Sequence, residues 1–299
     1  MDGRGAPPPA ALGEFLRSRR ARITPEDAGI VSHGARRVPG LRREELALLA
    51  GVSATYYTRL EQGQSTNASA SVVDALARAL ALSDDERAHL HDLARPRAAT
   101  PLRSPRRDHV RAGTRTLIEA MTAVPAVVLG RSTEVLAWNR LGHALVAGHV
   151  DRAAPEEAGV RPNLTRMLFL DPHTRELYAD WDEEASRAVA SLRLVAGRHT
   201  DDRKLTDLVG ELCISSRDFA RLWAKHPVHS CTSGTKRLDH PEIGAVELGF
   251  EVLHLPDNPG HRLLTYTAAE GSAAQHALAL LDAVAREERP APVRSGSRG

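Results

Sequence analysis

At 299 residues, with 40 basic and 38 acidic side chains, the chain is long enough for two separate cores and too evenly charged to be a simple polyelectrolyte. Its two cysteines, Cys213 and Cys231, have no metal-ligand spacing, which argues against a disulfide scaffold and predicts a reduced, cytoplasmic protein. No stretch approaches the ~20 apolar residues of a membrane span, and the opening MDGRGAPPPAAL carries no apolar run, so neither anchor nor leader is expected.

The small net charge conceals an asymmetry. Residues 1–112 hold 18 arginines against 13 acidic groups, whereas the remainder holds 22 basic and 25 acidic groups. A basic front and a mildly acidic rear suit a nucleic-acid-facing domain joined to a second module. Residues 1–10, rich in Pro and Gly, are expected to be disordered. A helix is predicted from Leu12 to Ile23, with Leu12, Phe15, Leu16 and Ile23 inward. The following TPEDAGIVSHGARRVPG is too rich in Gly and Pro for helix, and Arg36 and Arg37 could reach a DNA backbone or simply be solvated.

Gly40–Gly63 reads as two short helices around a tight turn. Leu46, Leu49 and Ala50 have the spacing of a buried stripe beginning near Arg42. Gly51 supplies the turn, Ser53 an N-cap, and a second helix spans Ala54 to Gln62 before Gly63 closes it. This is the helix-turn-helix pattern, although two core helices joined by a turn share the spacing. Ser71-x-x-Asp74 and Ser83-x-x-Glu86 then look like capping boxes. The first opens a helix with Val72, Leu76, Ala79 and Leu80, the second one with Leu90 and Leu93. Five helices thus make a domain over residues 11–95.

LRREELALLAGVSATYYTRLEQG resembles the XRE, or lambda-repressor-like, helix-turn-helix proteins. With the preceding LGEFLRSRRARITPEDAGI and the later VVDALARALAL, the stretch is similar to the N-terminal domain of MmyB-like transcription regulators. The long first loop departs from ordinary XRE domains but suits that subgroup.

Residues 96–109 have the Pro and Arg content of a linker. His109–Thr122 reads as a helix with Val110, Leu117, Ile118 and Met121 available for packing. AVVLG and EVLAWN form a predicted hairpin around Arg131-Ser132-Thr133, and a short helix, RLGHALVAG, follows Asn139. Asp180-x-x-Glu183 opens a helix to about Gly197 with Ala185, Ala188, Val189, Leu192 and Ala196 on one face. Further helices are expected over 201–213, with Leu205, Leu208, Val209 and Leu212 inward, and from Ser216, with Phe219, Leu222 and Trp223. Three late strands follow. In the middle one Leu248, Phe250, Val252 and His254 alternate with Glu247, Gly249, Glu251 and Leu253, which predicts one buried face. A last helix precedes a tail, 285–299, expected to be disordered. Two strands, a helical insert and three strands predict an α+β, PAS-like domain over 110–284 with a five-stranded antiparallel sheet.

LAWN, FLDPHTRELYADWDEEASRAVASLR, LVGELCISSRDFARLWAKHPV, KRLDHPEIGAVELGFEVL and YTAAEGS resemble the MmyB-like ligand-binding domain. With the N-terminal resemblance this covers nearly all of residues 12–281. It implies a DNA-binding regulator with a PAS-like sensor for an apolar small molecule, a fatty acid in that family, acting as a homodimer on double-stranded DNA. The alternative is a C-terminal domain that serves protein interaction or dimerisation without a small ligand.

For DNA, Ser53, Ala54, Thr55, Tyr56 and Thr58 stand near the start of the second motif helix, where base edges are read, and Thr and Ala suit such contacts. Arg42, Arg43 and Arg59 are candidates for phosphate. Tyr57 and Leu60 should face the core, and Glu61, which could only repel phosphate, should bond internally. For the sensor, Leu136, Trp138, Phe169, Leu192, Phe219, Trp223, Phe250, Leu264 and Tyr266 could wall an apolar pocket or simply form a closed core. Arg193 could pair with a ligand carboxylate, or with Asp180, Glu184 or Glu211. Tyr266, Asn139 and His229 are further anchor candidates, and Asn139 could instead cap its helix. Ser233-x-x-Lys236 lies in a predicted strand without companion motifs, and no P-loop, GxGxxG, G-x-S-x-G or H-E-x-x-H occurs. No enzyme activity, cofactor or metal is expected.

Overall fold

The computed structural model describes residues 10–30, 38, 40–65, 68–95, 109–157, 159–199, 202–229, 232–256 and 260–287. Arg36, Arg37, Cys231 and most of the expected linker and termini lie outside them. None of the described helices is long and apolar enough to cross a membrane.

Contacts divide the chain into two compact units that do not follow it in order. The first comprises Met1–Ser104, Val189–Thr206 and Ala220–Ser230; the second comprises Pro105–Ala188, Asp207–Phe219 and Cys231–Gly299.

The first unit contains α1 (Ala10–Arg20), α2 (Arg43–Leu49), α3 (Ala54–Glu61), α4 (Ala70–Ala79) and α5 (Asp84–Ala94). Local chemistry sets their limits. The Ser53 Oγ accepts from the Tyr56 N–H, and Ser83 and Glu86 close the expected reciprocal capping box. Gly51 and Gly63 have φ of +66° and +70°, the left-handed conformation that a side chain disfavours. Three expectations need correction. The α4 cap is Ser69, whose Oγ accepts from the Val72 N–H; Ser71 lies inside the helix beside it, and Asp74 meets His91 instead. The buried face of α2 and its C-cap is Leu46, Ala47 and Ala50, which pack into the core while Leu49 turns outward, 41% exposed. In α4, likewise, Val73 and Ala77 join Leu76 and Leu80 in the core, while Val72 and Ala79 are only half-buried.

Leu12, Phe15, Leu16, Leu41, Tyr57 and Leu90 are among the residues that build this core, and Leu194 and Val228 complete it. Those last two come from the segments 189–206 and 220–230, far along the sequence. Polar contacts accompany them. Arg19, 3% exposed, donates to the His226 carbonyl at 2.6 Å, and Arg198 Nε lies 3.0 Å from Asp92. His89, 2% exposed, packs edge-on against Phe15 and so closely on Gly197 that a Cβ there would fall 2.4 Å from its ring.

The second unit is built on β1 (Ala126–Leu129), β2 (Val135–Trp138), β3 (Ser233–His240), β4 (Gly244–His254) and β5 (Arg262–Thr267), in the antiparallel order β2-β1-β5-β4-β3. Around it lie α6 (Ala112–Ala120), α7 (Arg140–Ala147), α8 (Leu164–Leu170), α9 (Pro172–Leu177) and α13 (Ala273–Glu287). The helices α10 (Trp181–Arg198), α11 (Arg203–Ser215) and α12 (Arg217–Ala224) each contribute residues to both units. Alternation along β1 separates two faces: Val127 and Leu129 join a core with α7, α9 and α13, and Ala126 and Val128 join one with Val110 and Ile118 of the α6 region. Leu117 points outward, 52% exposed. On β4, Val246, Leu248 and Phe250 are buried in alternation, but Val252 is half-buried and His254, expected on the same face, is exposed although still paired with Arg262. α13 runs to Glu287, beyond the start expected for the tail.

A register shift lies between Val128 and Leu129: Val128 pairs with Ala137 and Leu129 with Val135, which leaves Leu136 as the extra residue of a bulge. Leu136 therefore belongs to the α6-side core and Trp138 to the other. Two residues apart in a regular strand, they would have shared a face.

Candidate nucleic-acid interface and ligand cleft

Along α3 the exposed positions are Ala54, Thr55 and Arg59, with Tyr56 and Thr58 half-buried, while Tyr57, Leu60 and Glu61 are buried. One outward face thus carries the residues expected to read bases. Thr58 Oγ1 donates to the Ala54 carbonyl at 2.8 Å, which leaves the hydroxyl oxygen and the methyl available. Ser53 is engaged in capping. Arg42 is exposed beside the start of α2, where its N–H donates to Glu45 at 2.6 Å.

Beneath this face Glu61 organises the arginines. Its side chain is fully buried and accepts from Arg20 at 2.9 and 3.0 Å and from Arg43 Nε at 2.9 Å, with Arg17 Nε 3.7 Å away. Burial disfavours the Glu61 charge, but hydrogen bonds from Arg20 and Arg43 outweigh it and hold the carboxyl below its usual range. Burial, with the Glu61 charge beside it, raises the Tyr57 hydroxyl. Arg43, expected on phosphate, is thus tied to Glu61 while remaining 42% exposed. The internal role of Glu61 was readable from charge; its arginine partners, Arg17 and Arg20 on α1 and Arg43 on α2, were not.

The expected sensor residues scatter. Phe250, Leu264 and Tyr266 lie in the core beneath α7 and α13. Phe169 packs edge-on against Phe219 and Trp181. Leu192, Arg193, Trp223 and His229 fall in segments of the helical unit. There Arg193 stacks 3.8 Å over the Trp223 ring and donates to its carbonyl, meeting none of the three acids considered for it: Asp180 binds Arg237, Glu184 binds Lys236 and Glu211 binds Arg166. His229 is exposed, 3.4 Å from Asp85. Asn139 is a structural hub. Its Oδ1 accepts from the N–H groups of Gly142 and Ala126, and its Nδ2 faces the carbonyls of Ile118, Met121 and Val124.

Of the expected ligand contacts only Trp138 lines the main cleft, an open space of about 1300 Å³ beside α7 and α13. Ala144, Leu145, Leu177, Leu281 and Val284 give it an apolar floor. Its rim carries four arginines among six acidic residues. Arg140 and Arg286 share Asp282, Arg115 meets Glu156, and Arg152 has no side-chain partner among the described residues. The Trp138 indole N–H donates to the Arg152 carbonyl at 2.9 Å and so fixes that backbone at the cleft mouth. Arg152 carried no distinguishing sequence signal.

A second, smaller recess ends on a buried ion pair. Lys236 Nζ lies 2.5 Å from Glu184, with side-chain exposures of 9% and 13%, and stands among the rings of Phe250, Tyr178 and Tyr266 at 4.8, 5.6 and 5.9 Å. Burial works against the ammonium, yet the Glu184 charge prevails and raises its pKa. Burial raises Tyr266.

Two family models match the chain. Residues 110–281 match the MmyB-like transcription regulator ligand binding domain, and residues 11–90 match a helix-turn-helix domain. No curated protein matches it.

Proposed function

The chain belongs to the MmyB-like transcription regulators, DNA-binding proteins with a C-terminal ligand-binding domain, and from that premise we propose that its ligand is an amphipathic acid, a fatty acid or close relative, held in the cleft beside α7 and α13. The observation that supports this is an apolar floor beside Arg152, a rim arginine with no side-chain partner among the described residues. The acyl chain lies along Trp138, Leu145 and Leu281, and the carboxylate meets Arg152, whose guanidinium can donate to it bidentately. The protein acts in the cytoplasm as a homodimer, placing two copies of α3 in successive major grooves, with Thr55 and Thr58 at base edges and Arg42 and Arg59 at phosphate.

Ligand binding changes DNA affinity by favouring one of two arrangements of the protein. Because α10, α11 and α12 contribute to both compact units, a displacement of any of them in the ligand-binding unit is felt in the DNA-reading one.

Organic extraction of the purified protein followed by mass spectrometry tests the ligand class; a recurrent acyl mass is expected. Ala144→Trp, which fills the cleft floor, should abolish it. Arg152→Ala should weaken a fatty acid about tenfold while sparing the corresponding alcohol, the loss of one charge-assisted contact. An empty wild-type protein that still responds to a protein partner would favour an interaction module instead.

A further inference from the structure

Four of the fourteen histidines line the cleft: His143, His149, His173 and His240. Two are held by the backbone, His143 Nε2 at 2.7 Å from the Val150 carbonyl and His240 Nε2 at 3.0 Å from that of Ala144. The other two converge on one carboxylate. His149 Nε2 lies 2.5 Å from Asp171 Oδ2, and His173 Nδ1 lies 3.6 Å from Asp171 Oδ1. Their rings stack 10° from parallel with centroids 4.8 Å apart, and the three donor atoms all fall within 4.8 Å of one another.

We propose that His149, Asp171 and His173 bind one divalent transition-metal ion of the zinc class, with its remaining coordination positions open to the cleft. The donor set selects the metal. Two imidazoles and a carboxylate suit zinc, cobalt, nickel or ferrous iron, whereas calcium and magnesium require oxygen ligands. Zinc with bonds of about 2.1 Å sets tetrahedral donors about 3.4 Å apart. The three donor atoms therefore need shifts of only about an ångström to close around an ion.

The surroundings meet the second requirement of a metal site, an oriented ligand shell. Asp171 ends α8 and caps α9, and its carboxylate accepts from the His173 N–H and from Thr174 Oγ1, each at 3.0 Å. His149 follows directly on Gly148, the C-cap of α7, so a rigid helix fixes its position. His173, 72% exposed, provides the path by which an ion enters. A hydrogen-bonded His149–Asp171 pair alone would not need a second imidazole stacked on the first and facing the same carboxylate. The site is independent of whether the cleft holds an acyl ligand.

The test uses the full chain after treatment with a chelator and its removal. Cobalt titration followed by visible absorption, and zinc titration followed by calorimetry, should each saturate at one equivalent. His173→Ala removes an exposed side chain and should weaken binding at least tenfold, as should His149→Ala; His276→Ala, on exposed α13 surface, should bind as the wild type does. Excess magnesium or calcium should not compete. The proposal is overturned if no saturable equivalent is found, if both the His173 and His149 variants titrate like wild type, or if magnesium displaces the cobalt signal. Should His149→Ala fail to fold, His173→Ala alone decides.

Discussion

Mild acid should loosen the DNA-reading unit, and His89 supplies most of the effect. The ring is almost fully buried on α5, between Phe15 and Gly197. Burial, followed by the charges of Arg193, Arg19 and Arg198, lowers its pKa from 6.5 to about 3. The folded state therefore holds His89 neutral while the unfolded chain takes up a proton between these values. Stability is complete above the unfolded pKa and falls as pH drops toward the folded one. At pH 5, roughly 1.5 units below the unfolded value, the loss is about 2 kcal/mol. His226, lowered to about 4 by burial and the charges of Arg193, Arg19 and Arg22, adds a smaller amount because it is only half-buried. Amide exchange across α5, measured at pH 7.5 and 5 after correction for intrinsic rates, reads the opening free energy of this unit. His89→Gln lowers stability at both pH values but removes the titration. The wild type should lose about 2 kcal/mol more than the variant between the two pH values. Equal losses would refute the assignment.

Three further outcomes are expected. Glu61→Gln, which removes the buried counterion shared by Arg20 and Arg43, should cost about 3 kcal/mol in the helical unit, whereas Arg43→Ala should cost about 1 or less; equal melting shifts would contradict the hub geometry. Replacing Thr55 and Thr58 together by Ala should flatten base preference in a randomised-site selection and leave the salt slope nearly unchanged, while Arg59→Ala should do the reverse. Glu184→Ala, by leaving the Lys236 ammonium buried and unpaired, should destabilise the sheet unit by about 3–5 kcal/mol, and Glu184→Leu combined with Lys236→Met should recover most of that in urea denaturation. A double variant as unstable as the single one would mean that the pair contributes by shape rather than charge.

What could be read from the chain was what depends on neighbouring residues. Ser53, Gly51 and the Ser83–Glu86 box act within four residues, so the helix-turn-helix and the start of α5 followed directly from spacing. The five strands followed from β-rich runs and alternation, and they form the single antiparallel sheet that was expected. Small changes in phase escaped the same reasoning. Ser69 and Ser71 both offer a capping oxygen, and only the packing of Val73 and Ala77 selects the former. The Leu136 bulge is specified by pairing across the hairpin, which no one-dimensional pattern records. The cleft was least legible. Arg152, the Asp171 cluster and the Lys236–Glu184 pair join side chains from elements distant in sequence, and their partners become visible only once the sheet has assembled. The aromatic residues selected for the ligand wall were good predictions of burial, but most proved to fill cores.

The presence of Leu194 and Val228 in the first core bears on how such a protein can diversify. Regulators are commonly imagined to evolve by exchanging a reader domain at its connecting segment, here near residues 96–109. A crossover there would carry away α1–α5 but leave behind the residues that seal Arg19, His89 and the apolar face around Phe15. The recipient would have to supply an equivalent of the 189–206 and 220–230 segments at once. Inheritance of the two modules together is therefore favoured by packing alone, and a transplanted reader is expected to need those segments grafted with it.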